Sequence, residues 1–473
     1  MDRKQNEKYI RMTTAPVKGL IVRLAIPTMI SMLVTTLYNL VDTYFVGQLA
    51  DTRATAAVTV SYALMNIIQA VGFFFGQGSG NYISRALGNK EAEKCRKMAA
   101  TGFLGALLSG TLILVFGMIF AEPLALLCGS EKDAQSLGYA TDYMRVILIG
   151  APAMCSSLVL NNQLRFQGNA TFAMVGLSSG AVINVLLDAL LVPRYKVFGA
   201  AIATVACQYV SFFVLLFCTK FLSDNLKFSI KDASFRPFYL KEIFRGGFPS
   251  LCRQGIASVM NVSLMHCCAI AATAQQTTSV LQAAFGIVSK LTMFISSMMI
   301  GFGQGFQPVC GFNYGAGRYD RVREGFRFCV AITAIFLTLM SVAFFTFSSP
   351  VLSFMQRSSE DGAGREAVNI AVKILRRQLI SLPLMSFVVM SNMMLQTMGK
   401  VVPASLLAAS RQGMCFLPAI LLLPPLFGMT GVEIAQSVAD VLSFALAIPI
   451  TINVLKELSR PESDPDTVLS GKS

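Results

Sequence analysis

Apolar runs recur along the whole of this chain, and each is long enough to cross roughly 30 Å of hydrocarbon as a helix. Of the 473 residues, 54% are hydrophobic and 14% are charged, whereas soluble proteins carry about 25% charged residues. Backbone polar groups inside a bilayer must be bonded within the protein, which favours helices. The sequence therefore predicts an all-α polytopic membrane protein with no separate soluble domain.

The positions of these runs predict twelve transmembrane helices. Their approximate limits are 20–46, 55–78, 98–120, 138–161, 171–192 and 198–220, then 245–270, 280–303, 327–347, 374–396, 402–424 and 432–455. Lys and Arg gather in cytoplasmic loops of membrane proteins. The N-terminal segment and the loops after spans 2, 6 and 8 are the basic ones, so both termini are predicted to be cytoplasmic. The basic loop before span 10, with Arg357 and Arg365, conflicts with this pattern.

The two halves of the chain repeat the same landmarks in the same order. The matching sets are Pro27 with Pro249, Gly76–Gly78 with Gly303–Gly305, Pro152, Asn161 and Gly168 with Pro383, Asn392 and Gly399, and Gly199–Ala203 with Gly431–Ala435. We predict two pseudo-symmetric six-helix bundles, an N-lobe (1–220) and a C-lobe (244–457), joined by a cytoplasmic loop (221–243) and followed by a cytoplasmic tail (458–473). Six spans is an even number, so the halves enter from the same side and leave a cavity between them.

Asp42 is the one acid in the first apolar run. A carboxylate at the bilayer centre costs about 2.5 kcal/mol or more and is usually kept to move an ion, a proton or a substrate. A helix rises about 1.5 Å per residue, which places Asp42 about 33 Å along span 1, Asp188 about 26 Å along span 5 and Thr204 about 9 Å into span 6. All three depths fall in the outer half, and Asn184 lies one turn from Asp188 on the same face.

These four side chains form an all-oxygen set that predicts a coupling site. The set suits Na⁺, with Asp42 and Asp188 as metal ligands, or one proton shared by two carboxylates that cannot both ionise at close range. We expect Na⁺ or H⁺ as the coupling ion and no other cofactor. The structural alternative is that Asp42 caps span 1 and that Asp188 pairs with Arg194.

Four further side chains, three in the N-half and one in the C-half, are candidate substrate contacts. Thr35 and Tyr38 share its face, with ordinary helix packing as the alternative. Asn161 is either a substrate contact or a structural amide that bonds a broken helix end. His266, the only histidine, is either protonatable in the pathway or a packing residue.

Two opposite charges in the C-half are predicted to form a buried ion pair. Lys290 and Asp440 each fall about 15–18 Å into their spans when counted from outside. An unpaired buried charge is costly, so we predict that they pair. Whether such a pair is structural or part of the transport pathway stays open at this point.

Several motifs of the chain occur together in one known family. They are Pro27 with Val41-Asp42-Thr43, Leu164–Asn169, Asn184 with Asp188, Gly199–Thr204, and Gln307-Pro308 followed by Gly311–Ala316. Over nearly its whole length the sequence resembles the multidrug and toxic compound extrusion (MATE) family of antiporters, and its N-half pattern is similar to the MepA-like and DinF-like members. Some other members carry acids in spans 7 and 10 as a C-lobe cation site, and this chain has none there.

The resemblance implies a secondary active exporter rather than an enzyme. It would exchange Na⁺ or H⁺ for amphipathic, cationic organic compounds, with substrate and lipid bilayer as partners and no nucleic acid. The family scheme lets cation binding at Asp42 and Asp188 displace substrate while span 1 bends at Pro27. We expect a monomer, multi-pass in the plasma (inner) membrane.

Two other functions fit parts of the same sequence. A lipid-linked oligosaccharide flippase shares the architecture, and we expect it to show a strongly cationic central cavity. An intramembrane enzyme would need a catalytic dyad, such as two aspartates in facing membrane motifs or a Ser/His pair, and Asp42 with Asp188 could form such a dyad. The internal repeat and the acids of the N-half favour the exporter.

Overall fold

The computed structural model describes residues 3–47, 52–128, 134–222, 229–271, 275–355 and 362–459. Within helices, the side chains of 257–279 and of several residues between 39 and 60, Asp42 among them, lie outside this description. The described residues contain helices and turns and no β-strand. The predicted all-α class is therefore confirmed.

Sixteen α-helices follow one another along the described chain. In the first half they are α1 (Arg3–Thr14), α2 (Val17–Gly47), α3 (Thr52–Gly88), α4 (Ala92–Ile119), α5 (Ala121–Leu127), α6 (Ala134–Phe166) and α7 (Ala170–Phe217). In the second half they are α8 (Pro237–Ala271), α9 (Gln275–Gly315), α10 (Tyr319–Thr346), α11 (Ser348–Met355), α12 (Gly362–Ser381), α13 (Met385–Thr397), α14 (Val401–Ala409), α15 (Phe416–Phe427) and α16 (Met429–Glu457).

Nine helices within the described ranges are long and apolar enough to cross a membrane. One of them, Ala170–Leu222, has non-helical backbone angles at Lys196 and covers two predicted spans. Helices α12 and α13 meet at a 3₁₀ turn that contains Pro383, and α14 and α15 meet at a π-turn, Ser410–Met414. A multi-pass helical architecture is confirmed, and the number twelve stays a prediction.

The repeated asparagines make the same contact in each half. Asn161 Nδ2 donates to the carbonyl of Ala173 at 2.9 Å, and Asn392 Nδ2 donates to the carbonyl of Ala404 at 2.6 Å. Each bond spans the turn between two consecutive helices and satisfies a backbone acceptor. The repeat seen in the sequence is thus also a repeat of tertiary contacts.

The repeated glycines Gly199 and Gly431 also occupy equivalent places. A Cβ on Gly199 would lie 2.4 Å from the carbonyl oxygen of Leu191, and one on Gly431 would lie 2.2 Å from that of Leu423. Only glycine allows the chain to return this closely against the helix that it has just left.

Repeated glycines also bring the two halves together at the end of the bundle where α3 and α9 finish, here termed the basic end because Arg85, Lys90 and Lys94 lie there. Helix α3 packs against α8, and α9 packs against α2. A Cβ on Gly78 would lie 2.3 Å from the carbonyl oxygen of Ile243. The buried apolar core continues across this contact, from α2 and α3 into the second half.

Polar contacts also join the halves at the basic end. Arg85 donates to the carbonyl of Thr397 at 2.8 Å and forms an ion pair with Glu242 at 2.9 Å. Helix α1 also lies at this end. There the side chain of Asn313 in α9 donates to the carbonyl of Met12 in α1 at 3.2 Å. The two halves are therefore held together at the basic end by close backbone contacts, buried apolar side chains and the ion pair of Arg85 and Glu242.

Candidate functional site

The two arms of α7, before and after the turn at Lys196, form a tight antiparallel hairpin that positions the predicted coupling residues. A Cβ on Gly176 would lie 2.3 Å from the side chain of Leu215, and the turn at Lys196 brings Gly199 against Leu191. The two arms run in opposite directions, so residue numbers rise along one arm and fall along the other. The two contacts therefore fix which residues of the two arms lie opposite each other.

This register brings three of the four predicted coupling residues to one level. Interpolation between the two contacts places Thr204 opposite about residue 186, midway between Asn184 and Asp188. All three side chains are buried, with 7% of Thr204, 1% of Asn184 and 0% of Asp188 exposed. The amide nitrogen and oxygen of Asn184 make no hydrogen bond to another described residue.

The fourth predicted residue, Asp42, lies on α2, which packs directly against α7. Its side chain is outside the described residues, so its contact with Asp188 stays a prediction. Arg194, the alternative partner of Asp188, is exposed, whereas Asp188 is fully buried. This difference in burial argues against the structural alternative for Asp188.

The predicted substrate residues have separate surroundings. Thr35 is partly buried, and its hydroxyl donates to the carbonyl of Ser31 at 2.8 Å, as in ordinary helix packing. Tyr38 is partly buried on the same helix. For Asn161 the structure favours the structural alternative, because its amide nitrogen donates to the carbonyl of Ala173. The side chain of His266 lies outside the described residues.

The predicted ion pair of Lys290 and Asp440 needs correction. Asp440 is 1% exposed and pairs with Arg411, whose Nε lies 3.0 Å from the Asp440 carboxylate. Gln436 and Ser381 also donate to this carboxylate, at 2.9 and 3.1 Å. Lys290 is exposed. The physical reason is that counting depth along two helices fixes height alone, and the direction of each side chain around its helix decides the partner.

A cavity of about 420 Å³ lies inside the C-lobe, between α8, α9 and the helices from α12 to α16. Its apolar lining includes Phe285, Met299 and Phe416. Its polar lining consists mainly of guanidinium and amide groups: Arg253, Gln378, Asn392, Arg411, Gln412 and Gln436. The sequence prediction missed this cavity. The one feature of the sequence that could have indicated this cavity is Arg253, which lies within a stretch from 243 to 319 that contains no Asp or Glu.

Known proteins resemble the chain in both sequence and structure. The MatE family model matches residues 27–190 and 257–421, which fall in the two repeated halves. The multidrug export protein MepA of Staphylococcus saprophyticus is 25% identical over 462 residues, which cover 96% of this chain and 97% of that protein. MepA of Staphylococcus haemolyticus is 27% identical over 441 residues, which cover 92% and 93%.

Solved structures show the same fold. A MATE protein in its straight conformation matches with a TM-score of 0.87 and 23% identity, over 96% of this chain and 99% of that one. An outward-facing multidrug resistance MATE transporter matches with the same values.

Proposed function

This chain belongs to the MatE family of multidrug efflux transporters, and on that basis we propose that it exchanges Na⁺ or H⁺ for amphipathic, cationic organic compounds. The proposed coupling site is Asp42, Asn184, Asp188 and Thr204. The observation that carries the proposal is the hairpin of α7, which brings a fully buried carboxylate level with a buried amide and a buried hydroxyl. The relatives are transporters, and we propose no enzymatic activity.

Burial of Asp188 gives the site its preference for a positive charge. An ionised carboxylate away from water is strongly unfavourable unless a cation or hydrogen-bond donors offset its charge. The amide of Asn184, one turn away, has an oxygen that no other described residue uses. An oxygen set of this kind suits Na⁺, and protonation of Asp188 removes the same charge.

The closed basic end supports an alternating-access cycle. We propose that this end is cytoplasmic, with both termini on that side, and that the protein works as a monomer in the plasma membrane. Cation binding at the N-lobe site then favours one arrangement of the lobes, and substrate favours the other. Coupling requires that each ligand bind the two arrangements with different affinity.

One observation favours a second function, translocation of a lipid-linked oligosaccharide. Such a substrate carries phosphate, and the C-lobe cavity is lined by Arg253 and Arg411. The acids at the N-lobe site and the family match favour the exporter.

The exporter is tested in proteoliposomes that hold a fluorescent organic cation, driven first by a Na⁺ gradient and then by a pH gradient. We expect the gradient that matches the coupling ion to drive exchange and Asp188→Asn to abolish it. Asp142→Asn is the matched control, because Asp142 is an exposed acid that pairs with Arg145 at 3.4 Å. Equal exchange by wild type and Asp188→Asn would contradict the proposed coupling site.

A further inference from the structure

The buried charges of the C-lobe do not balance. It has two buried acids among the described residues, Glu433 and Asp440, which are 6% and 1% exposed. Each already has its own arginine: Arg377 lies 2.5 Å from Glu433, and Arg411 lies 3.0 Å from Asp440. Among the described residues, no buried acid of the C-lobe is left over to neutralise Arg253.

Arg253 is a partly buried cation that forms no ion pair with a described residue and lines the C-lobe cavity. Its helix cannot supply a counter-charge, because the sequence from 243 to 319 contains no Asp or Glu. By the internal repeat, Arg253 corresponds to Ser31 of α2, and Asp42 lies eleven residues, or about 16 Å, further along that helix.

A second arginine increases the imbalance. Arg165 at the end of α6 is 1% exposed, and it lies close enough to Arg253 for their positive charges to repel. One of its terminal nitrogens donates to Asn162 at 2.7 Å, while its Nε makes no hydrogen bond within the described chain. Two neighbouring guanidinium groups without a carboxylate are unfavourable in a region of low dielectric constant unless an anion joins them.

The cavity beside Arg253 has the size and lining of a small-molecule site. Its volume of about 420 Å³ falls in the range of about 300–1,000 Å³ that is typical of ligand pockets. Phe285 and Phe416 offer aromatic surface, and Gln412 has a buried side-chain oxygen without a partner among the described residues. Guanidinium groups bind carboxylate and phosphate through two parallel hydrogen bonds.

We propose that the C-lobe cavity binds an amphipathic organic anion, with its carboxylate or phosphate on Arg253 and its apolar body between Phe285 and Phe416. Arg411 lies at the same cavity and supplies further positive potential, partly offset by Asp440. The anion enters either as a soluble organic acid or as the phosphate group of a membrane lipid. This proposal goes beyond the cation exchange proposed above and uses none of its residues.

The test measures equilibrium binding to the purified full-length protein in neutral detergent by calorimetry. The probes are 2-naphthoate and 2-naphthylmethylammonium, which share one ring system and carry opposite charge. We expect 2-naphthoate to bind about tenfold or more tightly than the ammonium compound, because only the carboxylate can form charge-assisted hydrogen bonds with the guanidinium of Arg253. Arg253→Gln removes this preference, and Arg253→Lys retains part of it.

Controls separate the site from general effects of charge and folding. Lys373→Gln removes an exposed cation from α12 and leaves binding of both probes unchanged. If Arg253→Gln does not fold, the comparison of the two probes on wild type and on Arg253→Lys still decides. Asp188→Asn binds 2-naphthoate as wild type does, so loss of ion coupling and loss of anion binding are distinguishable. The binding assay needs no ion gradient because it is measured at equilibrium.

Binding of 2-naphthoate to the protein in nanodiscs distinguishes a soluble organic acid from a lipid phosphate as the source of the anion. If phosphatidylglycerol weakens 2-naphthoate binding relative to phosphatidylcholine, and does so only while Arg253 is present, the natural occupant is a lipid phosphate. Equal binding in both lipids identifies a soluble organic anion. Equal affinity for the two probes, or 2-naphthoate binding that is unchanged by Arg253→Gln, would overturn the proposal.

Discussion

Gly88 and Gly315 lie against each other where α3 and α9 end, so closely that a Cβ on Gly88 would lie 3.0 Å from the Cα of Gly315. A Cβ on Gly315 would lie 2.0 Å from the carbonyl oxygen of Arg85. Both neighbours are backbone atoms, which cannot turn aside as a flexible side chain does. The two lobes therefore close the basic end through direct contact of their main chains.

Replacement of Gly315 by Ala should open this contact. We expect Gly315→Ala to lower the free energy of unfolding by about 1–3 kcal/mol, the usual effect of an overpacked site. Unfolding can be followed with a thiol-reactive dye, because Cys95, Cys155 and Cys310 are 0% exposed in the folded protein. The control is Gly286→Ala in the same helix, where a Cβ would meet no atom within 4 Å. A shared melting temperature for the two variants would show that the close contact does not hold the lobes together.

The ion pair of Arg411 and Asp440 should be a large contributor to the stability of the C-lobe. Removal of one partner leaves an uncompensated buried charge, which costs about 3–5 kcal/mol. We therefore expect Arg411→Gln to lower the melting temperature markedly in the same dye assay, and Lys290→Gln to leave it unchanged because Lys290 is exposed. A larger loss from Lys290→Gln than from Arg411→Gln would restore the pairing that the sequence suggested.

Asn161 should act on stability rather than on substrate binding. Asn161→Asp keeps the shape of the side chain but replaces its donor with an acceptor, which then faces the carbonyl of Ala173. An unsatisfied buried polar group costs about 1–3 kcal/mol, so the melting temperature should fall. The matched control is Asn89→Asp, at an exposed position.

Substrate affinity separates the two roles of Asn161. Folded Asn161→Asp protein should bind a transported cation as wild type does, because the amide is used within the fold. A loss of cation affinity without a loss of stability would identify Asn161 as a substrate contact.

The arrangement of three proposed coupling residues of the N-lobe could be predicted from the sequence because it depends on local geometry. Asn184 and Asp188 are four residues apart on one helix, and a return through Gly199 places Thr204 at their level whatever the rest of the fold does. The interior of the C-lobe depends on non-local geometry. Arg411 lies in the π-turn Ser410–Met414, which changes the angular position of side chains relative to a regular helix.

By itself the sequence determined the helical membrane architecture and the internal repeat, because hydropathy and the spacing of glycine and proline are properties of the chain. Only the tertiary structure decided that Asp440 pairs with Arg411, that Asn161 bonds Ala173, and that Arg253 lines a cavity whose described lining contains no carboxylate. A buried charge takes its partner from whichever helices surround it, and depth along one helix does not specify those neighbours.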